Sequence, residues 1–105
     1  LDNITDADGL AVGRPSGFVG KMMEKLLSGI YTVEDKELYK LLAMMKDTED
    51  IKIEPSATPG LLGPLRVEVG TKNAVHIAWA TGGLFVPDNM MQEFYNIGKK
   101  QLGEF

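Results

Sequence analysis

Apolar positions recur every three or four residues in three stretches of the chain, and each repeat predicts a helix with one buried face. In residues 16–27, Phe18, Val19, Met22, Met23, Leu26 and Leu27 fall on one side, with Lys21, Glu24 and Lys25 toward the other. Ser16 suits the N-cap, because its hydroxyl can accept from an otherwise unpaired amide of the first turn. Ser28-Gly29 suits the stop, since glycine tolerates the left-handed conformation that ends many helices. A second helix is predicted over residues 34–48, with Leu38, Leu41, Leu42 and Met45 as its buried stripe and Thr32 with Asp35 as a loose capping pair. A third opens after Pro87, with Met90, Met91, Phe94 and Ile97 facing inward.

The segments between these helices have a different pattern. Ile30-Tyr31-Thr32-Val33 is short, β-branched and aromatic, as a buried strand is, and Ile51-Lys52-Ile53 reads as another. Ala74-Val75-His76-Ile77-Ala78-Trp79-Ala80 is apolar nearly throughout, as expected of a strand covered on both faces, with His76 inside the core or at an interface. Pro55 suits the first turn of a helix, where its missing N–H costs nothing. Pro59, Gly60, Gly63 and Pro64 interrupt the next stretch, and residues 65–69 fit either a strand or a helix. Helices alternating with short apolar strands predict an α/β fold: a mainly parallel sheet with flanking helices.

Composition narrows the function. The chain has 105 residues, 44% of them hydrophobic and 25% charged, as in an ordinary globular domain. Its net charge of −4 argues against a nucleic-acid surface, which needs a cationic patch. It has no cysteine and one histidine, so disulfides, thiolate metal sites and multi-histidine metal sites are excluded. No apolar run approaches the roughly 20 residues that span a bilayer. With no signal peptide visible, the expected compartment is the cytoplasm. The first nine residues have no helix or strand period and read as a loop belonging to something longer, although a removed start methionine or tag gives the same beginning.

Three loops could carry chemistry, each beside a predicted strand or helix, where α/β folds tend to hold ligands. In Thr5-Asp6-Ala7-Asp8-Gly9, Asp8 could face a polar group of a substrate while Gly9 permits close backbone approach. The same residues also suit an ordinary turn with solvated aspartates. In Glu54-Pro55-Ser56-Ala57, Glu54 could face a pocket at a strand's end or lie in solvent at a plain connection. In Thr81-Gly82-Gly83, a hydroxyl leaves a strand and two glycines follow, which suits either a flat ligand or a tight turn. No Gly-rich phosphate loop of the Walker or dinucleotide type is present.

Taken together, these runs resemble one family. Asn3-Ile4-Thr5-Asp6-Ala7-Asp8-Gly9-Leu10-Ala11-Val12-Gly13-Arg14-Pro15-Ser16-Gly17-Phe18-Val19-Gly20 is similar to a stretch of bacterial D-serine dehydratases (D-serine ammonia-lyases). Leu27-Ser28-Gly29-Ile30-Tyr31-Thr32, Ile53-Glu54-Pro55-Ser56-Ala57 and Trp79-Ala80-Thr81-Gly82-Gly83 follow in the family's order. The shorter pattern, Ala-Asp-Gly with a later Glu-Pro-Ser, is shared with threonine dehydratases and serine racemases. The resemblance implies a fold-type II pyridoxal-phosphate enzyme that converts D-serine to pyruvate and ammonia, with residues 1–105 an incomplete domain from its C-terminal part. It implies that the Schiff-base lysine and the phosphate loop lie upstream, since neither motif is recognisable here. It implies Thr81 as the hydroxyl that meets the cofactor's ring nitrogen, Gly82 and Gly83 beside the ring, and Asp8 and Gly9 on the substrate side. Glu54 matches a carboxylate near the ring. A monovalent cation is implied, with no ligand set legible. Other readings are a related L-threonine or L-serine dehydratase, and a non-catalytic interaction module. Separated from its parent, such a piece is expected to be inactive and to self-associate through exposed apolar surface.

Overall fold

The computed structural model describes residues 4–67 and 72–103. Two long helices form the core. Helix α2, Asp35–Glu49, packs along helix α4, Asp88–Leu102, as the two strongest apolar repeats predict. Leu38, Leu41 and Leu42 of α2 are buried and Met45 is half-buried. From α4, Met91 and Phe94 are buried, Ile97 is half-buried, and Met90 is exposed at the rim. Leu42, Met91 and Phe94 form the centre, with Tyr39, Val86 and Tyr95 against them. The rings of Tyr39 and Phe94 lie 5.9 Å apart in a tilted arrangement, which favours the ring edge over a stacked face.

The two helices approach most closely at Gly98. A Cβ built there would lie 2.1 Å from the Tyr39 carbonyl oxygen and 2.9 Å from Ala43 Cβ. Only glycine lets the backbones come this near. Polar pairs finish the seam at its surface: Tyr95 Oη donates to Asp47 Oδ1 at 2.6 Å and Lys99 Nζ to Asp47 Oδ2 at 2.7 Å. The proposed Thr32–Asp35 capping pair does not form; Glu34 is the N-cap of α2 and makes no side-chain cap bond.

The shorter elements lie around this pair. Helix α1, Gly17–Met23, is capped as expected: Val19 N–H donates to Ser16 Oγ at 3.4 Å. Turns carry the chain on to Leu27, yet no residue of α1 is buried and its apolar face looks into solvent. Pro55 opens a 3-10 turn, Pro55–Ala57, and a second follows at Pro59–Leu62. Helix α3, Gly63–Arg66, begins the stretch that the sequence left undecided; residues 68–69 lie outside the described residues.

The expected α/β sheet is absent: among the described residues there is no strand. Residues 30–33, 51–53 and 74–80 have neither helix nor ladder. Residues 72–80 are exposed throughout, including His76, and Trp79 is 83% exposed. The physical reason is the source of backbone hydrogen bonds. A helix closes its own bonds within one segment, whereas a strand needs a neighbour to supply the other half of the ladder. Apolar content marks a segment as suited to burial in a sheet without supplying that neighbour. What remains is a single crossing point, where Glu54 N–H donates to Gly82 O at 3.0 Å. The radius of gyration is 15.1 Å, against about 13 Å for a compact domain of 100 residues. The excess fits peripheral segments that stand off a small two-helix core.

Candidate functional site

The Asp8 loop is fixed at both ends. Thr5 Oγ1 accepts from Ala7 N–H at 3.1 Å, and Ala7 is buried. A 3-10 turn, Asp8–Leu10, follows, with Ala11 N–H donating to Asp8 O at 3.1 Å. From α2, Tyr39 Oη donates to Asp6 Oδ2. Burial raises the Tyr39 hydroxyl pKa first, and the Asp6 carboxylate that accepts its proton raises it further. On the other side, Gly9 N–H donates to Ser56 Oγ at 3.0 Å. Asp8 is therefore an exposed carboxylate between two tethers, one to α2 and one to the Pro55–Ala57 turn.

That turn is itself built tightly. Thr58 is fully buried and its Oγ1 donates to Pro55 O at 2.9 Å, which closes the turn from within. Just before it, Glu54 meets the Thr81-Gly82-Gly83 segment. A Cβ on Gly82 would lie 2.9 Å from Glu54 Oε1. Gly83 has φ +156, and a Cβ there would lie 2.6 Å from Lys52 O and 2.7 Å from Ile53 Cα. Gly83 is thus needed by the chain's own packing, because the 52–54 backbone occupies the space a side chain would take, whereas at Gly82 the end of the Glu54 side chain would have to swing aside. Thr81 is exposed at the edge of this contact.

A cleft of about 420 Å³ joins the two loops. Thr5, Asp6, Asp8 and Glu54 give it a polar wall, while Phe85, Met90 and Phe94 give an apolar one. An apolar chamber with a few convergent polar groups is the usual form of a small-molecule site. Of the residues singled out in the sequence, Asp8 and Glu54 line this cleft, Gly9 follows Asp8 and donates to Ser56 outside the lining, Gly82 meets Glu54, and Gly83 packs against backbone. Thr81, just before Gly82, does not line it. A larger cleft, about 590 Å³, lies over the α2–α4 seam between Lys46, Asp47, Lys52 and Gln92, and none of these singled-out residues lines it. Among the described residues no group of three or more His, Asp or Glu side chains could hold a metal ion. Nor is any helix there long and apolar enough to cross a membrane.

Sequence reasoning missed Asp6, Tyr39 and Ser56 as parts of the site. Asp6 and Ser56 sat in the quoted motifs, but nothing in the spacing brings Gly9 to a residue 47 positions away. Tyr39 was hidden in an apolar helix face.

No family model matches the chain. The chain is 57% identical over 102 residues to a probable D-serine dehydratase of Carboxydothermus hydrogenoformans, covering 97% of this chain and 24% of that protein. It is 53% identical over 110 residues to a probable D-serine dehydratase of Bacillus cereus, covering 93% of this chain and 25% of that protein. One from Bacillus mycoides is 52% identical over 111 residues, with 93% and 25% covered. Identity this high runs over nearly the whole chain. The chain belongs to the D-serine dehydratase family. It spans about a quarter of the length of the curated relatives it matches.

Proposed function

We propose that this chain forms the C-terminal part of a cytoplasmic, pyridoxal-phosphate-dependent lyase that deaminates D-serine to pyruvate and ammonia. The reading rests on one observation above all: segments far apart in sequence bring Asp8 and Glu54 to the same small cleft, with Gly82 at its edge. The match to relatives four times longer supports the view that the remainder of the site comes from other parts of the protein.

The donor set suits the cofactor on one side. Thr81 offers an exposed hydroxyl, which can donate to or accept from a ring nitrogen. When bound, pyridoxal phosphate supplies the electron sink that acidifies the substrate Cα–H, while the protein supplies orientation. Thr81 would hold the ring nitrogen without fixing a proton on it, which favours elimination over reactions that need a stronger sink. Gly82 would keep Glu54 close to the ring edge. Asp8 would hold the leaving hydroxyl or its water by a hydrogen bond, beside the apolar side chains of Phe85, Met90 and Phe94. Val75, Ile77, Trp79, Leu84 and Phe85 leave large apolar area exposed, which fits a piece that packs against more protein or self-associates when alone.

The test has two arms. The product of the gene encoding this chain should release pyruvate from D-serine. After borohydride reduction it should carry one pyridoxyl adduct, on a lysine outside these 105 residues. The 105-residue chain with added pyridoxal phosphate should form neither adduct nor pyruvate. Activity of the short chain, or a gene product without an adduct, would overturn the reading.

A further inference from the structure

We infer that Ser56 is a positioning residue for Asp8. The inference rests on the reading of the cleft given above and deepens it. Gly9 N–H donates to Ser56 Oγ at 3.0 Å, the one direct hydrogen bond described between the Asp8 loop and the Glu54 turn. The fit around it is close. A Cβ on Gly9 would lie 3.1 Å from Ser56 Oγ and 3.3 Å from Ser56 Cβ, so the loop rests directly on this side chain. Ser56 is half-buried within a turn that Thr58 locks from below, so the acceptor does not wander. On the other side of Asp8, Asp6 is held by Tyr39. With two tethered neighbours, the Asp8 backbone has little freedom, and the residue lines the cleft it shares with Glu54.

Ser56 touches neither substrate nor cofactor in this account. Its hydroxyl sets where Asp8 stands relative to Glu54, and a misplacement of a reacting group by about 1 Å can cost up to ~100-fold in rate. Removal of the hydroxyl frees the Gly9 amide and lets the loop relax toward solvent, while the polar wall keeps both carboxylates. Loss should therefore fall on the chemical step more than on substrate binding.

The experiment uses the full gene product with D-serine. Ser56→Ala should lower kcat roughly tenfold with KM changed by less than about twofold, the signature of an interaction felt mainly in the transition state. Ser56→Thr keeps the hydroxyl and should restore most of kcat. If Ser56 acts through Asp8, the double variant Ser56→Ala with Asp8→Asn should be no slower than Asp8→Asn alone, because coupled residues are not additive. A merely structural role predicts multiplied losses and no rescue by threonine. If Asp8→Asn is slow and Ser56→Ala is as fast as the parent, the positioning role is wrong while the cleft reading stands. If Asp8→Asn is itself silent, the cleft reading fails and takes this one with it. Amide exchange at Gly9 gives a readout independent of turnover: it should be faster in Ser56→Ala, and unchanged exchange overturns the proposal even if that variant folds poorly enough to obscure the kinetics.

Discussion

Gly98→Ala is expected to pry the α2–α4 pair apart. In the parent the added methyl would lie 2.1 Å from the Tyr39 carbonyl oxygen and 2.7 Å from its carbon. Both are backbone atoms and cannot rotate aside, and Cβ atoms essentially never approach closer than 3.0 Å. The helices must therefore separate by roughly 1 Å at this point, and overpacking of that kind costs about 1–3 kcal/mol. Alanine returns up to ~1 kcal/mol in helix propensity over glycine. The steric cost should prevail, since the core is small and Leu42, Met91 and Phe94 all sit on the same seam. A net loss of about 1 kcal/mol would lower the melting temperature by roughly 4–8 °C in a domain of this size. Far-UV circular dichroism through heating and urea is the assay. Gly20→Ala serves as control, because a Cβ there meets nothing within 4 Å; it should not lower either midpoint. If Gly98→Ala melts at or above the parent temperature, the close approach of the two helices is wrong.

Four further outcomes follow from particular contacts. Asp50 ends α2 with φ 54 and ψ 35, and its ion pair with Lys46 is exposed; such a pair is worth little, so Asp50→Gly should raise the urea midpoint by about 0.5–1 kcal/mol in stability through relief of the left-handed cap. Thr58→Val removes the hydroxyl bond to Pro55 O, but that carbonyl still accepts from Thr58 N–H at 3.2 Å, so urea titration should show a loss near ~1 kcal/mol rather than the larger cost of an orphaned group. Hydrogen bonds from Lys99 and then Tyr95 hold the Asp47 carboxyl below its ordinary 3.8; a depressed carboxylate stabilises the fold above its unfolded value and loses that contribution as pH falls through the lowered one. Asp47→Asn should thus flatten the acid limb of urea midpoints measured across pH values down to about 2–3, and parallel limbs would contradict the pairing. In the full gene product, Thr81→Asp should slow pyruvate release from D-serine, and unchanged turnover would remove Thr81 from the ring nitrogen.

Helices were legible because their evidence is local. The stripe of Leu38, Leu41 and Leu42, the Ser16 cap and Pro55 at the start of a turn all emerge in the structure near their expected places. Each depends on residues within one or two turns of each other. The sheet was not legible in the same sense. Ile51-Lys52-Ile53 and the run from Ala74 to Ala80 have the composition of covered strands, and composition says nothing about where a hydrogen-bonding neighbour is to come from. The result is an exposed Trp79 flanked by Val75 and Ile77, the reverse of the burial their pattern predicts.

The site divides along the same line. Asp8 and Glu54 could be named from motifs that lie within a few residues, and they line one cleft. What tethers the Asp8 loop is non-local: Tyr39 donates to Asp6 from α2, and Gly9 donates to Ser56 across 47 positions. The glycines carry the sharpest lesson. Gly82 and Gly83 read as room for a flat ligand or as a tight turn, and here their missing side chains make room for Glu54 and for the backbone of residues 52–54. A glycine that lets a carboxylate approach is still part of a site, but it acts on that carboxylate. Gly82→Ala would therefore displace Glu54 before it touched any ligand, so its effect on turnover should track that of Glu54→Gln.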